Sequence, residues 1–332
     1  MTVASAPSGG TSFAAFVGAW LTAVQPSLRP GTWRRYEQYA RLHAVPALGH
    51  LPLCGVTPMQ LQLLYAERLA AGCSPTSVRH LHRFLHRVFA DAVRWRAAPN
   101  NPVEQANPPR VRRHEIRPLT AEQARRLLAG ARGDRREALY VVALTTGMRQ
   151  GELLALRWAD VDLAAGRLAV RGSLHRDAGG GWTIQEPKTA RSRRPVVLAP
   201  VAVRALAEHR HRQDAERRAA GARWEDTDFV FTNRVGRPLS SQNLVQRDFH
   251  PLLRRLGLPR VRFHDLRHTA ATLLLQQGVH PKVVSEMLGH ADVGVTLDIY
   301  SHVSPALHEA AAFALGALLD DRQGAAGPDR DG

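Results

Sequence analysis

Lysine is nearly absent from this chain: Lys188 and Lys282 are the only two among 45 Lys and Arg residues, so almost every cation is an arginine. A guanidinium effectively cannot release its proton near neutral pH, whereas a perturbed lysine can, so Lys188 stands out as a candidate for proton transfer. Cysteine is equally scarce. Cys54 and Cys73 are too few for a disulfide framework and lack zinc-ligand spacing, which fits a reducing compartment. No run of about 18 apolar residues occurs, the first ten residues have neither the charged nor the apolar region of a signal peptide, and no Walker-type glycine-rich loop is present. A membrane-spanning chain, a secreted chain and a phosphate-loop nucleotide hydrolase are thereby disfavoured, and a cytoplasmic location is expected.

What is present is positive charge. The 332 residues carry only 29 Asp and Glu, leaving a formal charge of +16, while 44% are hydrophobic. That length and hydrophobic share fit two domains with ordinary cores rather than a disordered basic tail. The cation excess favours a polyanionic partner, because each neutralised phosphate releases counterions. Nucleic acid is the leading candidate before any motif is read.

Apolar periodicity predicts helices over 13–24, from Thr32 as a cap through Tyr36 and Ala40, over 59–69, and over 76–96. In the last of these, Val78, Leu81, Leu85, Val88 and Ala92 form the buried stripe. Arg79, Arg83 and Arg87 stack at i, i+4, i+8 on the other side. Like charges at that spacing repel, so the row is expected to face an anion, the alternative being a solvated basic face. Residues 99–118 are proline- and arginine-rich and read as an extended basic linker. Thr120 and Gln123 then have capping-box spacing, and helices are expected over 135–158. Period-two patterns over 167–174, 182–186 and 194–198 predict three short strands of one small antiparallel sheet. Helix resumes near Val201, with a turn at Gly236-Arg237-Pro238.

Several separated motifs carry candidate chemistry. Arg149 follows a Thr145-Thr146-Gly147 break, and Glu152, three residues on, can steady its guanidinium, although such pairs are also common surface decoration. His264 and Arg267 share a face at a helix start, where two donors and the helix dipole suit an anion. The alternative there is a capped core helix with Asp265 as cap. Leu288-Gly289-His290 ends another helix, and Tyr300 follows ten residues after His290. His82 and His86 have i, i+4 ligand spacing, but with no third ligand nearby they read as surface or DNA-facing residues, and no metal is expected.

Taken in order, Thr146-Gly147-Met148-Arg149 with Glu152, Lys188, His264-Asp265-Leu266-Arg267-His268, Leu288-Gly289-His290 and Tyr300 resemble the signature of the tyrosine recombinases, the phage integrase family, over essentially the whole chain. The resemblance implies a mainly α fold with a small antiparallel sheet, arranged as a C-shaped two-domain DNA clamp. A disordered start (1–10) would precede a SAM-like helical core-binding domain (11–98), the linker (99–118), the catalytic domain (119–320) and a disordered tail (321–332). The additional arm-type DNA-binding domain of many mobile-element integrases is expected to be missing.

The resemblance further implies that Tyr300 attacks a scissile DNA phosphate, forming a 3′-phosphotyrosyl link and, through a Holliday junction, joining new partners. A phenol has a pKa of about 10, so forming the phenolate at neutral pH costs about 4 kcal/mol, which nearby cations lower. Arg149 and Arg267 would hold the non-bridging oxygens, each well-placed donor contributing about 3 kcal/mol to the transition state. Lys188 would protonate the leaving 5′-oxygen. His264 and His290 would accept a proton or bind phosphate, and the sequence leaves open which does which. Glu152 is support, and His268 is packing or support. Neither metal nor ATP is needed, since phosphodiester is exchanged for phosphotyrosine.

The apolar positions Leu307, Ala311, Ala314 and Leu318 imply a C-terminal helix (305–319) docking onto a neighbouring subunit of a homotetramer, or else folding back on its own domain. The expected function is integration or excision of a mobile element by a cytoplasmic, nucleoid-associated enzyme. Alternatives are a Xer-type chromosome-dimer resolvase, a relaxing enzyme of the type IB topoisomerase class, or a catalytically inactive DNA-binding regulator.

Overall fold

The computed structural model describes residues 10–111, 117–177, 179–186 and 193–289, with Gly294 and Phe313. The chain divides into two compact units, residues 1–114 and 115–332, each with its own hydrophobic core.

The first unit is helical. Helix α1 (Phe13–Val24) begins where the Ser12 side chain accepts a hydrogen bond from the Ala15 amide. Helix α2 (Pro30–Tyr39) starts two residues before the expected Thr32 cap, with Pro30 in its first turn, because the fixed φ of proline suits a position whose N–H would be unpaired. A π turn carries it into α3 (Val45–Leu48). Helix α4 (Pro58–Ala70) has a Thr57/Gln60 capping box, and α5 (Pro75–Arg94) is capped by Ser74. The predicted stripe of α5 is buried. Phe84 and Phe89 widen it, meeting Trp20 and Phe13 at ring-centroid distances of 6.0 and 5.6 Å.

Two expectations change in this unit. The stretch read as the start of the linker is folded: a 3-10 turn at Pro102–Gln105 buries Val103, and Ala106 joins the same core. Apolar residues between prolines are enough to seat it. Arg87 is also no free member of an anion-facing row, since its Nε donates to Asp91 at 2.9 Å. Asp91 is almost wholly buried and also receives Arg94 at 2.7 Å and the Trp20 indole N–H at 3.0 Å. A buried carboxylate must be paired, and Arg87 one turn away is committed to that task.

In the second unit α6 (Ala121–Gly130) begins at the predicted Thr120/Gln123 capping box. Helix α7 (Glu137–Thr146) is the central rod, with every residue from Ala138 to Ala143 buried. It ends at Gly147 (φ 62°), followed by the short α8 (Gln150–Leu154). Strands β1 (Val161–Asp162), β2 (Arg167–Val170), β3 (Ser173–Arg176), β4 (Trp182–Gln185) and β5 (Arg194–Val197) come next. The single predicted sheet is in fact two, an antiparallel β1-β2-β5 and a separate β3-β4 hairpin. The long first strand breaks at Arg171-Gly172, where a Cβ on Gly172 would lie 2.4 Å from the Ile184 side chain. Helices α9 (Pro200–Ala220), α10 (Ser241–Asn243), α11 (His250–Arg255), α12 (Asp265–Gln276) and α13 (Pro281–Leu288) complete the described fold. Among the described residues no helix is long and apolar enough to cross a membrane.

Helix α9 brings one titratable group into the core. His209 is buried, its Nε2 lies 2.7 Å from the Val230 carbonyl, and Phe231 flanks the ring at 5.3 Å. Burial pushes its pKa down to about 4. The native state therefore binds fewer protons than the unfolded chain below the ordinary imidazole value of about 6.5. Stability is full above that pH and falls as pH drops toward the native value, by about 3 kcal/mol at most for this group. Urea unfolding followed over this range should show the decline, and the His209→Leu curve should be flatter than wild type across the same interval.

Candidate active site

Sequence places the Arg149–Glu152 pair, Arg267 and the end of α13 far apart, and the fold joins them. Arg149 is the N-cap of α8. Its backbone N–H donates to Glu152 Oε2 at 3.0 Å, and its Nη1 donates to Oε1 at 2.8 Å. Arg267, in the first turns of α12, is buried, and its Nη1 donates to the carbonyls of Gly147 (3.0 Å) and Leu288 (2.8 Å). The second Arg149 nitrogen reaches the Gly289 carbonyl at 3.2 Å. The two arginines thus grip consecutive carbonyls at the C-terminal end of α13, where helix carbonyls lack partners of their own and carry partial negative charge.

A third arginine belongs to this cluster and was not singled out from sequence. Arg194 on β5 donates from Nε to the Met287 carbonyl at 2.9 Å and from Nη2 to Glu152 Oε2 at 3.2 Å. The signal existed. Val196 and Leu198 are buried, and strand alternation puts residue 194 on the same inward face.

Two of these guanidiniums therefore pair with one described carboxylate, which acts on the third, Arg267, only through space. Burial opposes the Glu152 charge, but Arg194 and then Arg149 hold its carboxyl below the usual range. Burial, and then Arg149, push the Arg267 pKa down to about 9, so it remains a cation at neutral pH, but a disfavoured one. Its Nη2 is buried with no hydrogen-bond partner among the described residues. A cation that is desolvated, crowded by like charge and left with an unused donor is a receptor for an anion.

Two glycines let the elements approach. Gly147 has φ 62°, and a Cβ there would lie 2.3 Å from Leu288 Cδ2. Gly289 has φ 68°, and its Cβ would lie 2.8 Å from Arg194 Nη1. Side chains at either position would push α13 off the cluster.

His264 is the N-cap of α12, one turn ahead of Arg267. Partial desolvation, then His268 and Arg267, hold it below the usual imidazole range, so the neutral ring retains a lone pair. His268 meets it edge-on at 5.2 Å. Asp265 is fixed by the Arg262 fork, with contacts of 2.8 to 3.2 Å. Lys188, His290 and Tyr300 lie outside the described residues, as do the expected helix at 305–319 and the tail at 321–332. In the first unit, exposed Arg79 and Arg83 line an open hollow of about 310 Å³ with His82, His86 and Pro108. His82 Nδ1 is occupied by the Tyr65 hydroxyl at 3.0 Å. Among the described residues no three ligating side chains come together as a metal site.

A basic helical unit followed by a helical unit with a paired-arginine anion site defines a class of DNA-acting protein, and comparison makes the class specific. The model of the phage integrase family matches residues 117–306, and that of the phage integrase N-terminal SAM-like domain matches residues 12–68. A "tyrosine recombinase XerC-like" protein of Caldanaerobacter subterraneus is 32% identical over 305 residues, covering 86% of this chain and 78% of the relative. An integrase of Streptomyces ambofaciens is 31% identical, covering 90% and 78%. The solved structure of the Tn1549 transposon integrase in complex with a circular intermediate DNA has a TM-score of 0.78 at 22% identity, covering 92% of this chain and 99% of that one. The chain belongs to the phage integrase family and is a site-specific DNA recombinase.

Removing the shared carboxylate tests the cluster. Glu152→Ala leaves three buried or half-buried guanidiniums without their counter-ion and should lower unfolding free energy by about 3 kcal/mol in denaturant titrations. Added sulfate should stabilise this variant more than it stabilises wild type.

Proposed function

We propose that this protein integrates and excises a mobile element by cutting and rejoining double-stranded DNA through Tyr300. The observation that carries the reading is the Nη2 of buried Arg267, without a hydrogen-bond partner among the described residues, beside Arg149, two cations gathered at the end of α13. In this reading their donors take the two non-bridging oxygens of the scissile phosphate, whose charge grows toward the five-coordinate transition state. Tyr300 attacks phosphorus, its proton passes to His264 or a neighbouring base, and the phosphotyrosyl bond forms as the bond to the 5′-oxygen breaks. Lys188 gives that oxygen its proton. His290 binds a non-bridging oxygen or positions Tyr300, and Glu152 orients Arg149.

Arg79 and Arg83 contact DNA phosphates from the first unit, and Arg87 contributes mainly through Asp91. The segment 305–319 joins neighbouring subunits of a homotetramer on paired DNA sites. The expected limits of 11–98 for DNA binding and 119–320 for catalysis accompany this reading, the first carried on to Ala106 by the folded turn at Pro102–Gln105, with the protein acting on the nucleoid in the cytoplasm. Relatives named integrase, including the ICEBs1 integrase of Bacillus subtilis, support the mobile-element role. A chromosome-dimer resolvase is the second reading, favoured by the XerC-like name of one relative, and the genes flanking this one separate the two.

Nicked duplexes selected from a randomised pool by covalent capture provide the assay. Wild type should form a protein–DNA adduct, and Tyr300→Phe should bind the same duplex and form none. Lys188→Ala should cleave slowly, by a factor of about 100 or more, and recover on a 5′-phosphorothiolate, whose thiolate leaves without a proton. An adduct in Tyr300→Phe would remove the nucleophile assignment. Deleting residues 307–332 should spare binding to a single site and weaken synapsis in a native gel, and unchanged recombination would count against the intersubunit role.

A further inference from the structure

We propose that Arg194 is a positioning residue for strand cleavage, holding Glu152, and through it Arg149, in one frame with the C-terminal end of α13. The proposal rests on the reading of Arg149 and Arg267 as phosphate binders. Arg194 is only 8% exposed, so it acts through its neighbours.

Its position follows from the strand. In the β2-β5 ladder Arg194 lies opposite Val170 and Val196 opposite Leu168, and the three apolar members of that inward set are buried. An apolar side chain would suit such a site at less desolvation cost than a guanidinium. The fork instead serves two acceptors that no strand or helix ladder satisfies. One is the Met287 carbonyl near the end of α13, at 2.9 Å from Nε. The other is Glu152 Oε2, at 3.2 Å from Nη2.

The same Oε2 receives the Arg149 backbone N–H at 3.0 Å, while Oε1 receives Arg149 Nη1 at 2.8 Å. Glu152 is thus held from both sides. Without Arg194 the carboxylate would have Arg149 alone as its hydrogen-bonded cation among the described residues, and could swing with it. Gly289 also approaches the guanidinium closely, since an added Cβ would meet Arg194 Nη1 at 2.8 Å. Arg194 also follows Lys188 by six residues in sequence. It is accordingly the described side chain that ties the strand after Lys188 to the Arg149 segment and to the segment before His290.

The test compares wild type, Arg194→Met and Arg194→Lys on captured nicked duplexes, one set with an ordinary scissile phosphate and one with a neutral methylphosphonate. Duplex affinity should stay within about threefold of wild type. Misplacing a charge-stabilising group by about 1 Å costs on the order of 100-fold in rate, so Arg194→Met should form adduct about 100-fold more slowly on the ordinary phosphate. On the methylphosphonate, which carries no negative charge for Arg149 to neutralise, the loss should shrink below about tenfold. Arg194→Lys should recover only part of the rate, because an ammonium lacks the planar fork that reaches both acceptors. It also covers the case in which Arg194→Met fails to fold. Equal losses on the two substrates would mean a merely structural role and would overturn the proposal, as would cleavage at the wild-type rate. Failure of the wild-type protein to form any adduct, or an adduct in Tyr300→Phe, would remove the parent reading and this proposal with it. An active wild type with indifferent Arg194 variants would remove this proposal alone.

Discussion

Everything at the candidate site depends on three guanidiniums meeting three successive carbonyls. Arg194 takes Met287, Arg267 takes Leu288 and Arg149 takes Gly289. The last carbonyls of a helix are unpaired by construction and carry its negative pole, so they are natural partners for cations. Yet a carbonyl holds only a partial charge, and Glu152 is the single full negative charge bonded to the cluster among the described residues. The fold thus secures the arginines geometrically without neutralising them. That combination is what an anion-binding site in a strand-transfer enzyme needs, since donors already in place do not have to reorganise as charge develops on the phosphate.

The first unit obeys the same rule with the opposite outcome. Asp91 lies in the core and collects Arg87, Arg94 and the Trp20 indole, so the buried carboxylate is fully paired and the cluster is structural. One to three turns earlier on the same helix, Arg79 and Arg83 share their hollow with two histidines and a proline and with no acid. An overall charge of +16 therefore says less than the placement of the carboxylates does. Where one is buried within reach, as Asp91 is, the exposed arginines around it are engaged by it, and where none lines the surface, as at Arg79 and Arg83, the guanidinium faces solvent.

Much of this was legible in the sequence because it is local. The α1 limits, the Thr120/Gln123 capping box and the apolar stripe of α5 all follow from spacing within a few turns. The Arg149–Glu152 pair follows in the same way. The misreadings turn mostly on burial by distant segments, even where, as for Arg87 and Asp91, the pair itself is one helical turn apart. Nothing near Arg87 in sequence announces that Asp91 is buried by Trp20 from another helix. The strand pattern over 167–174 is continuous, but the ladder breaks at Arg171-Gly172, where the chain packs so closely on β4 that a Cβ on Gly172 would lie 2.4 Å from Ile184 and 3.0 Å from the Gln185 carbonyl oxygen. Arg194 was read as one residue of a strand, and its partners Glu152 and Met287 lie 42 and 93 residues away. Alternation fixes that it points inward, but not that a carboxylate waits there.

The near-absence of lysine now acquires a physical meaning. Arg267 is destabilised as a cation, with its pKa pushed down to about 9, which invites the idea that it could itself hand a proton to a departing oxygen. Binding reverses the shift. A phosphate seated against the guanidinium adds the negative charge that the site lacks, so the protonated form is favoured most when substrate is present. Groups that bind the anion best are therefore the ones that hold their protons hardest. In the proposed mechanism the acid is therefore a side chain whose ammonium can release a proton near neutral pH, and a chain built almost wholly on arginine still keeps a lysine at position 188.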